Sequence, residues 1–435
     1  MAVPTEWVKF APPPRQLAAE DKWHVFLSYR SADRPWVLNL YDVLREHGLE
    51  VFLDQVVLKI GDHLVEQLEQ GLSASMAGVL VWSNATRDSA WVRREYQVLE
   101  SQAGAKRGFQ FVPLRLDDSE LPPFAKTRVF LDFSTYPDGP NGGELLRLLH
   151  AIAAQPLSAA AAHFAAEQDE QAKKATSAIA AAIRNKNPAR LVELAGSDDL
   201  AWRSSAALGC KAADGLIKLG KAHCSAAIEL LQQLESRFPR SIRPQQLHAL
   251  ALARRGGDGD LAAAQDILAN LYESGQRDPE TLGIYARTWM DRYAASGDPE
   301  DLRSSRDYYA EAFTLAQDDY YTGINAAAKS VFIGSPADVA RGAALAKRVQ
   351  EIVGVAPHPG DYWCTATAAE AQLIQRNYVE AARLYASAVA MARAEIGSHD
   401  STWSQARGLM AKLETGEPDR ELVRQAFAHL PDAGR

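Results

Sequence analysis

Cysteine is nearly missing from this sequence. Three cysteines (Cys210, Cys224 and Cys364) stand among 435 residues. They are too few and too scattered for a disulfide framework, and none falls in a C-x-x-C zinc pattern. Free thiols in a reducing cytoplasm are the expectation, and no metal site is expected. Long apolar runs are missing too, since no stretch approaches the roughly 20 apolar residues of a membrane span. Pro4, Glu6 and Lys9 stand where a signal peptide needs an apolar core. There is no excess of positive charge: 47 Lys and Arg face 55 Asp and Glu, a net charge of -8. That balance argues against binding duplex nucleic acid by covering its phosphates. Neither a G-x-x-x-x-G-K-[ST] loop nor a G-x-G-x-x-G after a strand is present, so ATP-driven switching lacks its motor.

What is present is ordinary in bulk and divided in detail. Hydrophobic residues make up 47% and charged residues 23%, as in a globular protein. Residues 1–21 read as a flexible Pro-rich tail, with Pro12-Pro13-Pro14 favouring extended backbone. From Trp23 to about residue 152, short Val-, Leu- and Phe-rich runs alternate with amphipathic stretches. His24–Tyr29, Glu50–Leu53, Gly78–Trp82, Phe109–Leu114 and Val129–Phe133 read as buried parallel strands. Helices are expected over Pro35–Glu46, Leu64–Ser73 and Ser89–Ala103. Strand–helix alternation implies an α/β fold with a flavodoxin-like, five-stranded parallel sheet.

After about Gln155 the strand-like runs fade and Ala-rich helical segments take over. Gly297-Asp298-Pro299 and Gly334-Ser335-Pro336 are clear breaks between them. Helix pairs joined by short turns indicate an all-α solenoid over residues 153–435. One helix is expected from Trp202 to Leu219. Another begins at Tyr378 and sets Ala381, Ala382, Tyr385 and Ala388 on one side. His223 and Cys224 adjoin, and the bland reading is a packed thiol.

Several motifs of the first half follow in a set order. His24-Val25-Phe26-Leu27-Ser28-Tyr29-Arg30 is followed by Ser31-Ala32-Asp33, then Val51-Phe52-Leu53-Asp54, then Gln55 to Asp62 with Leu58 and Gly61. Val79-Leu80-Val81-Trp82-Ser83 precedes Ser89-Ala90-Trp91-Val92-Arg93-Arg94-Glu95-Tyr96. Over residues 22–152 this set resembles a Toll/interleukin-1 receptor (TIR) domain. Many TIR domains cleave NAD+, and others only bind further TIR domains. In the enzymatic members a Glu in the helix after the third strand, often within W-x-x-x-E, marks the difference. Trp91 and Glu95 match that pattern, and residues at i and i+4 share a helix face.

The resemblance therefore implies a catalytic Glu95. It implies a cleft lined by Phe26, Ser28, Tyr29, Arg30, Asp54, Ser83 and Trp91, with NAD+ as substrate and no cofactor. Arg30, Arg93 and Arg94 are candidates to face the NAD+ pyrophosphate. Leu58, Lys59 and Gly61 match the BB loop that TIR domains use for self-association, so a homo-oligomer is implied. Each residue has a plainer reading. Glu95 beside two arginines suits a solvated helix face, Trp91 suits a packing aromatic, and Asp54 suits a loop cap.

In the second half, Asp319-Tyr320-Tyr321-Thr322-Gly323-Ile324-Asn325-Ala326-Ala327 resembles a tetratricopeptide-like region. Such regions occur in apoptosis signal-regulating kinases and in bacterial proteins that join them to TIR domains. The plain reading has Tyr320, Tyr321 and Asn325 packing the solenoid, with Asn325 bonded to backbone between helices. The expectation for the whole is a cytoplasmic NAD+ glycohydrolase of bacterial immunity. Its repeats would meet a protein, peptide or small-molecule trigger, and neither membrane nor duplex would be a partner. The alternatives are a non-enzymatic adaptor and a synthase of a cyclic ADP-ribose.

Overall fold

The computed structural model describes residues 5–30, 33–53, 64–83, 99, 101–102, 104–121, 130–136, 139–239, 241–393 and 396–430. Packing divides the chain into two compact units, Met1–Gln276 and Arg277–Arg435. This division by contact differs in kind from the expected boundary at 152/153, which marks a change from strands to helices.

The first unit is built on five parallel strands: β1 (Trp23–Ser28), β2 (Val51–Phe52), β3 (Ser75–Trp82), β4 (Gln110–Arg115) and β5 (Leu131–Asp132). Their order is β2-β1-β3-β4-β5. The register pairs Phe26 with Phe52, Ser28 with Leu80, and Trp82 with Arg115. Every residue of β3 is buried, as befits a central strand covered on both faces. Phe26, Phe52, Leu80, Trp82, Leu99 and Phe109 form one core. Gly78 lets the segment carrying Leu99 come close, because a Cβ there would lie 2.2 Å from a Leu99 methyl.

Helix α1 (Thr5–Val8) belongs to the segment read from sequence as a flexible tail. Here that segment packs. Trp7 is buried edge-on against Phe164, and Phe10 stacks on the same ring at 4.5 Å. His24 accepts the Glu50 N–H at Nδ1, so its Nε2–H donates to the Arg15 carbonyl. The prolines supplied extended backbone, and the aromatics on their N-terminal side supplied the anchor.

Helix α2 (Arg34–Glu46) follows β1, and α3 (Leu64–Ser73) precedes β3. Residues 36–44 of α2 are buried on every side. One face meets the sheet, and the other meets helices much later in the chain. The later helices of this unit are α4 (Gly142–Ile152), α5 (Ala159–Arg184), α6 (Pro188–Ala195), α7 (Leu200–Arg203), α8 (Ala207–Lys218), α9 (Cys224–Arg237), α10 (Ile242–Arg255) and α11 (Asp260–Glu273), and α10 packs on α2. Gly143 brings α4 onto α5, since a Cβ there would lie 2.2 Å from the Ala165 carbonyl. Asp169 of α5 accepts from Tyr136 Oη, the Gly143 N–H and Arg147 Nη1.

The single helix expected over 202–219 is two. Ser204 Oγ donates to Asn141 Oδ1 and Ser205 Oγ donates to the Pro140 carbonyl, each at 3.2 Å. Those bonds draw residues 204–206 out of the helical path and onto the start of α4. Cys224 is buried, as its bland reading had it.

The second unit is helical: α12 (Pro279–Ser296), α13 (Pro299–Leu315), α14 (Tyr320–Ile333), α15 (Pro336–Val353), α16 (Tyr362–Ile374), α17 (Tyr378–Met391), α18 (Ile396–Lys412) and α19 (Glu417–Gln425). The sequence breaks are caps in atomic detail. Gly297 and Gly334 take left-handed conformations at helix ends. Asp298 and Ser335 then accept N–H bonds from the next first turn, with Pro299 and Pro336 opening it. Ala381, Ala382, Tyr385 and Ala388 of α17 are buried together, as their spacing predicts. Asn325 differs from expectation: its Nδ2 donates to the Tyr321 carbonyl one turn earlier in its own helix.

Candidate functional site

In an open parallel sheet, ligands bind beyond the carboxyl ends of the strands where the strand order reverses. Here the chain goes from β1 to one side for β2 and to the other for β3. The crevice therefore lies over the ends of β1 and β3. Ser28 closes β1 and is buried, and Tyr29 and Arg30 follow it, half-buried. Ser83 follows β3, is buried, and donates to Asp33 Oδ2 at 2.7 Å. That bond ties the two sides of the crevice together. The Asp33 N–H donates to the Arg30 carbonyl, which turns the chain sharply into α2. Arg34 then lies with its guanidinium carbon 5.4 Å from the Tyr29 ring centre.

Of the residues singled out in the sequence, Ser28, Tyr29, Arg30 and Ser83 come together at this crevice. Phe26 lies deeper. Its ring stacks on Phe52 at 5.0 Å within the core, so it supports the floor beneath Ser28. Glu95, Trp91, Asp54, Leu58, Lys59 and Gly61 lie outside the described residues, as do Arg93 and Arg94. The Asp33–Ser83 bond was not singled out in the sequence, because an Asp before a helix reads as a cap. In fact the Asp33 side chain makes no cap bond.

Further along the same edge, Arg115 ends β4 and donates to Asp132 of β5. Burial raises the Asp132 carboxyl, but the bonds from Arg115 and Ser134 outweigh it and hold it below the usual carboxylate range. A second groove, lined by Pro13, His24, His47, Met76 and Leu149, opens at the opposite, amino ends of the strands. Burial pushes the His47 imidazole below its ordinary value, against the raising effect of its bond to the Val43 carbonyl. Among the described residues no cluster of His, Cys, Asp and Glu is arranged to hold a metal ion. No described helix is long and apolar enough to cross a membrane.

Comparison with known proteins bears on the α/β segment and on the helices after it. A family model described as TIR domain matches residues 25–148. The N-terminal α/β segment is a TIR domain. A second model, Tetratricopeptide Repeats-Sensor, matches residues 223–330.

Relatives of the TIR domain share short stretches with this chain. A protein of Brucella melitensis named as a probable 2' cyclic ADP-D-ribose synthase, TcpB, is 35% identical over 80 residues. The match spans 18% of this chain and 32% of that protein. The 2' cyclic ADP-D-ribose synthase BtTIR of Bacteroides thetaiotaomicron is 32% identical over 75 residues, 17% of this chain and 26% of its own. The NAD(+) hydrolase TcpA of a Theionarchaea archaeon is 31% identical over 78 residues, 18% of this chain and 24% of its own. The chain thus spans a third or less of the length of these relatives. Among solved structures, the TIR domain of the Toll-related receptor TRR-2 of Hydra magnipapillata is 22% identical. It covers 26% of this chain and 86% of that one, with a TM-score of 0.24.

Proposed function

We propose that the TIR domain cleaves NAD+ between nicotinamide and ribose. The observation that carries the reading is the similarity of this domain to proteins named for NAD+ hydrolysis and for cyclic ADP-ribose synthesis. The crevice over β1 and β3, with Ser28, Tyr29, Arg30 and Ser83 at its rim, supports it. Glu95 is the proposed catalytic carboxylate. The spacing of 91, 95 and 99 is that of one helix face, and Leu99 at its end is helical and buried beside Gly78.

Chemically, the bond from ribose C1′ to the nicotinamide nitrogen breaks, and its electron pair leaves with the ring. Nicotinamide departs neutral and needs no proton. Positive charge then develops on the ribose, as in glycoside cleavage, and the Glu95 carboxylate stabilises it. Water attacks C1′ and loses a proton, which yields ADP-ribose. Attack by a group within the ADP-ribose itself yields a cyclic product, and the names of two relatives favour testing for it.

Trp91 and Asp54 complete the cleft in this reading. The loop with Leu58, Lys59 and Gly61 joins one TIR domain to the next in a homo-oligomer. Residues 22–152 are the catalytic module, and the helices of 153–435 govern its assembly in response to a trigger. Such a protein acts in the cytoplasm as an immune effector that depletes NAD+.

The test is NAD+ consumption by the purified full chain, with product masses recorded beside size-exclusion profiles. Glu95→Ala is expected to lower turnover by about 100-fold or more, as loss of a transition-state stabiliser does. Unchanged turnover in that variant would remove Glu95 from its role. Absence of NAD+ loss in the assembled protein would favour the adaptor reading.

A further inference from the structure

We infer that Arg34 is an anion-binding residue of the crevice, placed to take the pyrophosphate of a dinucleotide. The inference builds on the proposed NAD+ chemistry but stands on its own observations. Arg34 is 4% exposed. Its Nε and Nη1 are sealed from solvent and have no hydrogen-bond partner among the described residues. Its guanidinium lies by the Tyr29 ring, whose π-face attracts a cation but offers no lone pair for N–H donors. Buried guanidinium groups are ordinarily paired and hydrogen-bonded, so two sealed, unmet donors call for an acceptor that the described residues do not supply.

The neighbouring carboxylate does not supply it. Asp33 accepts from Ser83 across the crevice, and the Arg34 Nε and Nη1 donate no hydrogen bond to it. Nor does the Asp33 side chain cap α2, a helix of 13 residues whose first turn is therefore uncapped by it. Arg34 opens that helix, and its guanidinium lies beside Tyr29, the residue that follows β1, so the positive helix end and the unmet donors are at the same end of β1. An acceptor there should carry negative charge and more than one oxygen. A phosphate fits, because arginine's planar fork takes two such oxygens at once. A dinucleotide carries such a group, the pyrophosphate between its two riboses.

Titration calorimetry on the full chain tests this with inorganic pyrophosphate, ADP and adenosine as probes. Wild-type protein, Arg34→Lys and Arg34→Gln are compared, with thermal unfolding of each as a control on folding. The expected result is a loss of about tenfold or more in affinity for pyrophosphate and ADP in Arg34→Gln, with adenosine unchanged. Arg34→Lys should fall between, since it keeps the charge and loses the fork. If Arg34→Gln fails to fold, the selective loss in Arg34→Lys decides the matter.

Three results would overturn the inference: wild-type protein that binds neither pyrophosphate nor ADP, variants that bind both as wild type does, or equal losses for ADP and adenosine. The outcome is separable from the NAD+ assay. Arg34-dependent binding of pyrophosphate in a protein that leaves NAD+ intact would sustain this site and sink the enzyme. Turnover without that dependence would do the reverse.

Discussion

Lys329 of α14 and Glu370 of α16 carry opposite charges into the interior of the second unit. Lys329 Nζ donates to Gln405 Oε1 at 3.3 Å, and Gln405 Nε2 donates to Glu370 Oε1 at 2.7 Å. Burial lowers the lysine and raises the glutamate, and each partner's charge works against that shift. Removing one charge strands the other. Lys329→Met is expected to cost about 3–5 kcal/mol in chemical denaturation. The double variant Lys329→Met/Glu370→Gln should recover most of that loss, because no buried charge then remains. Recovery of nothing would show that the pair acts through packing alone. The sequence does not announce this pair, since its members are 41 positions apart and neither lies in a motif. Asn325 teaches the converse. Its residue type was legible, but its partner was the carbonyl one turn back, which a short amide side chain reaches first.

At the scale of elements, α2 is the decisive case. Its sequence reads as a helix with a Gly-terminated end, and its start and stop fall within one residue of the expected Pro35–Glu46. That it is buried on every side was not legible. Asp42, on the face away from the sheet, accepts the Ile242 N–H at 3.0 Å and so caps the start of α10. Burial is the largest influence on Asp42 and pushes its carboxyl up to about 8, against the lowering effect of the Ile242 bond.

The folded state therefore holds this proton where the unfolded chain, with a carboxyl near its ordinary 3.8, has released it. Stability from Asp42 is fully present below about pH 4 and is lost as pH rises toward 8 and through it. The slope contributed by one such proton is at most about 1.4 kcal/mol per pH unit. Asp42→Asn, which cannot titrate, should flatten the pH dependence of unfolding between 4 and 8 relative to wild type. Identical profiles would mean that Asp42 is ionised in the folded protein. The split of α7 from α8 has the same origin as the burial of α2. Local propensity favoured one helix, and hydrogen bonds from Ser204 and Ser205 to distant backbone and side chain won.

At the scale of the molecule, the TIR domain and the helices through α11 share one compact unit. Asp169, Ala201, Ser204 and Ile242 all bond to residues of the segment before 153. A fragment ending at residue 155 loses every one of those partners. It also loses Phe164, on which Trp7 and Phe10 pack. We expect residues 1–276 to unfold in one cooperative transition and residues 1–155 to be less stable by several kcal/mol, as loss of several buried bonds and an aromatic cluster implies. Urea denaturation of the two fragments checks this. Equal midpoints would show the later helices to be passengers.

The sequence by itself determined the strands, the parallel order of the sheet, the TIR motifs and the helix caps of the second unit. Those features are local. Periodicity, turn chemistry and motif spacing act over a few residues and leave their mark there. Only the tertiary structure decided that α2 is enclosed, that the N-terminal segment is anchored, and that Arg34 is buried beside Tyr29 with donors unmet. Each of these depends on which surface covers another. The covering partner of Asp42 is 200 positions away, a separation that no local pattern encodes.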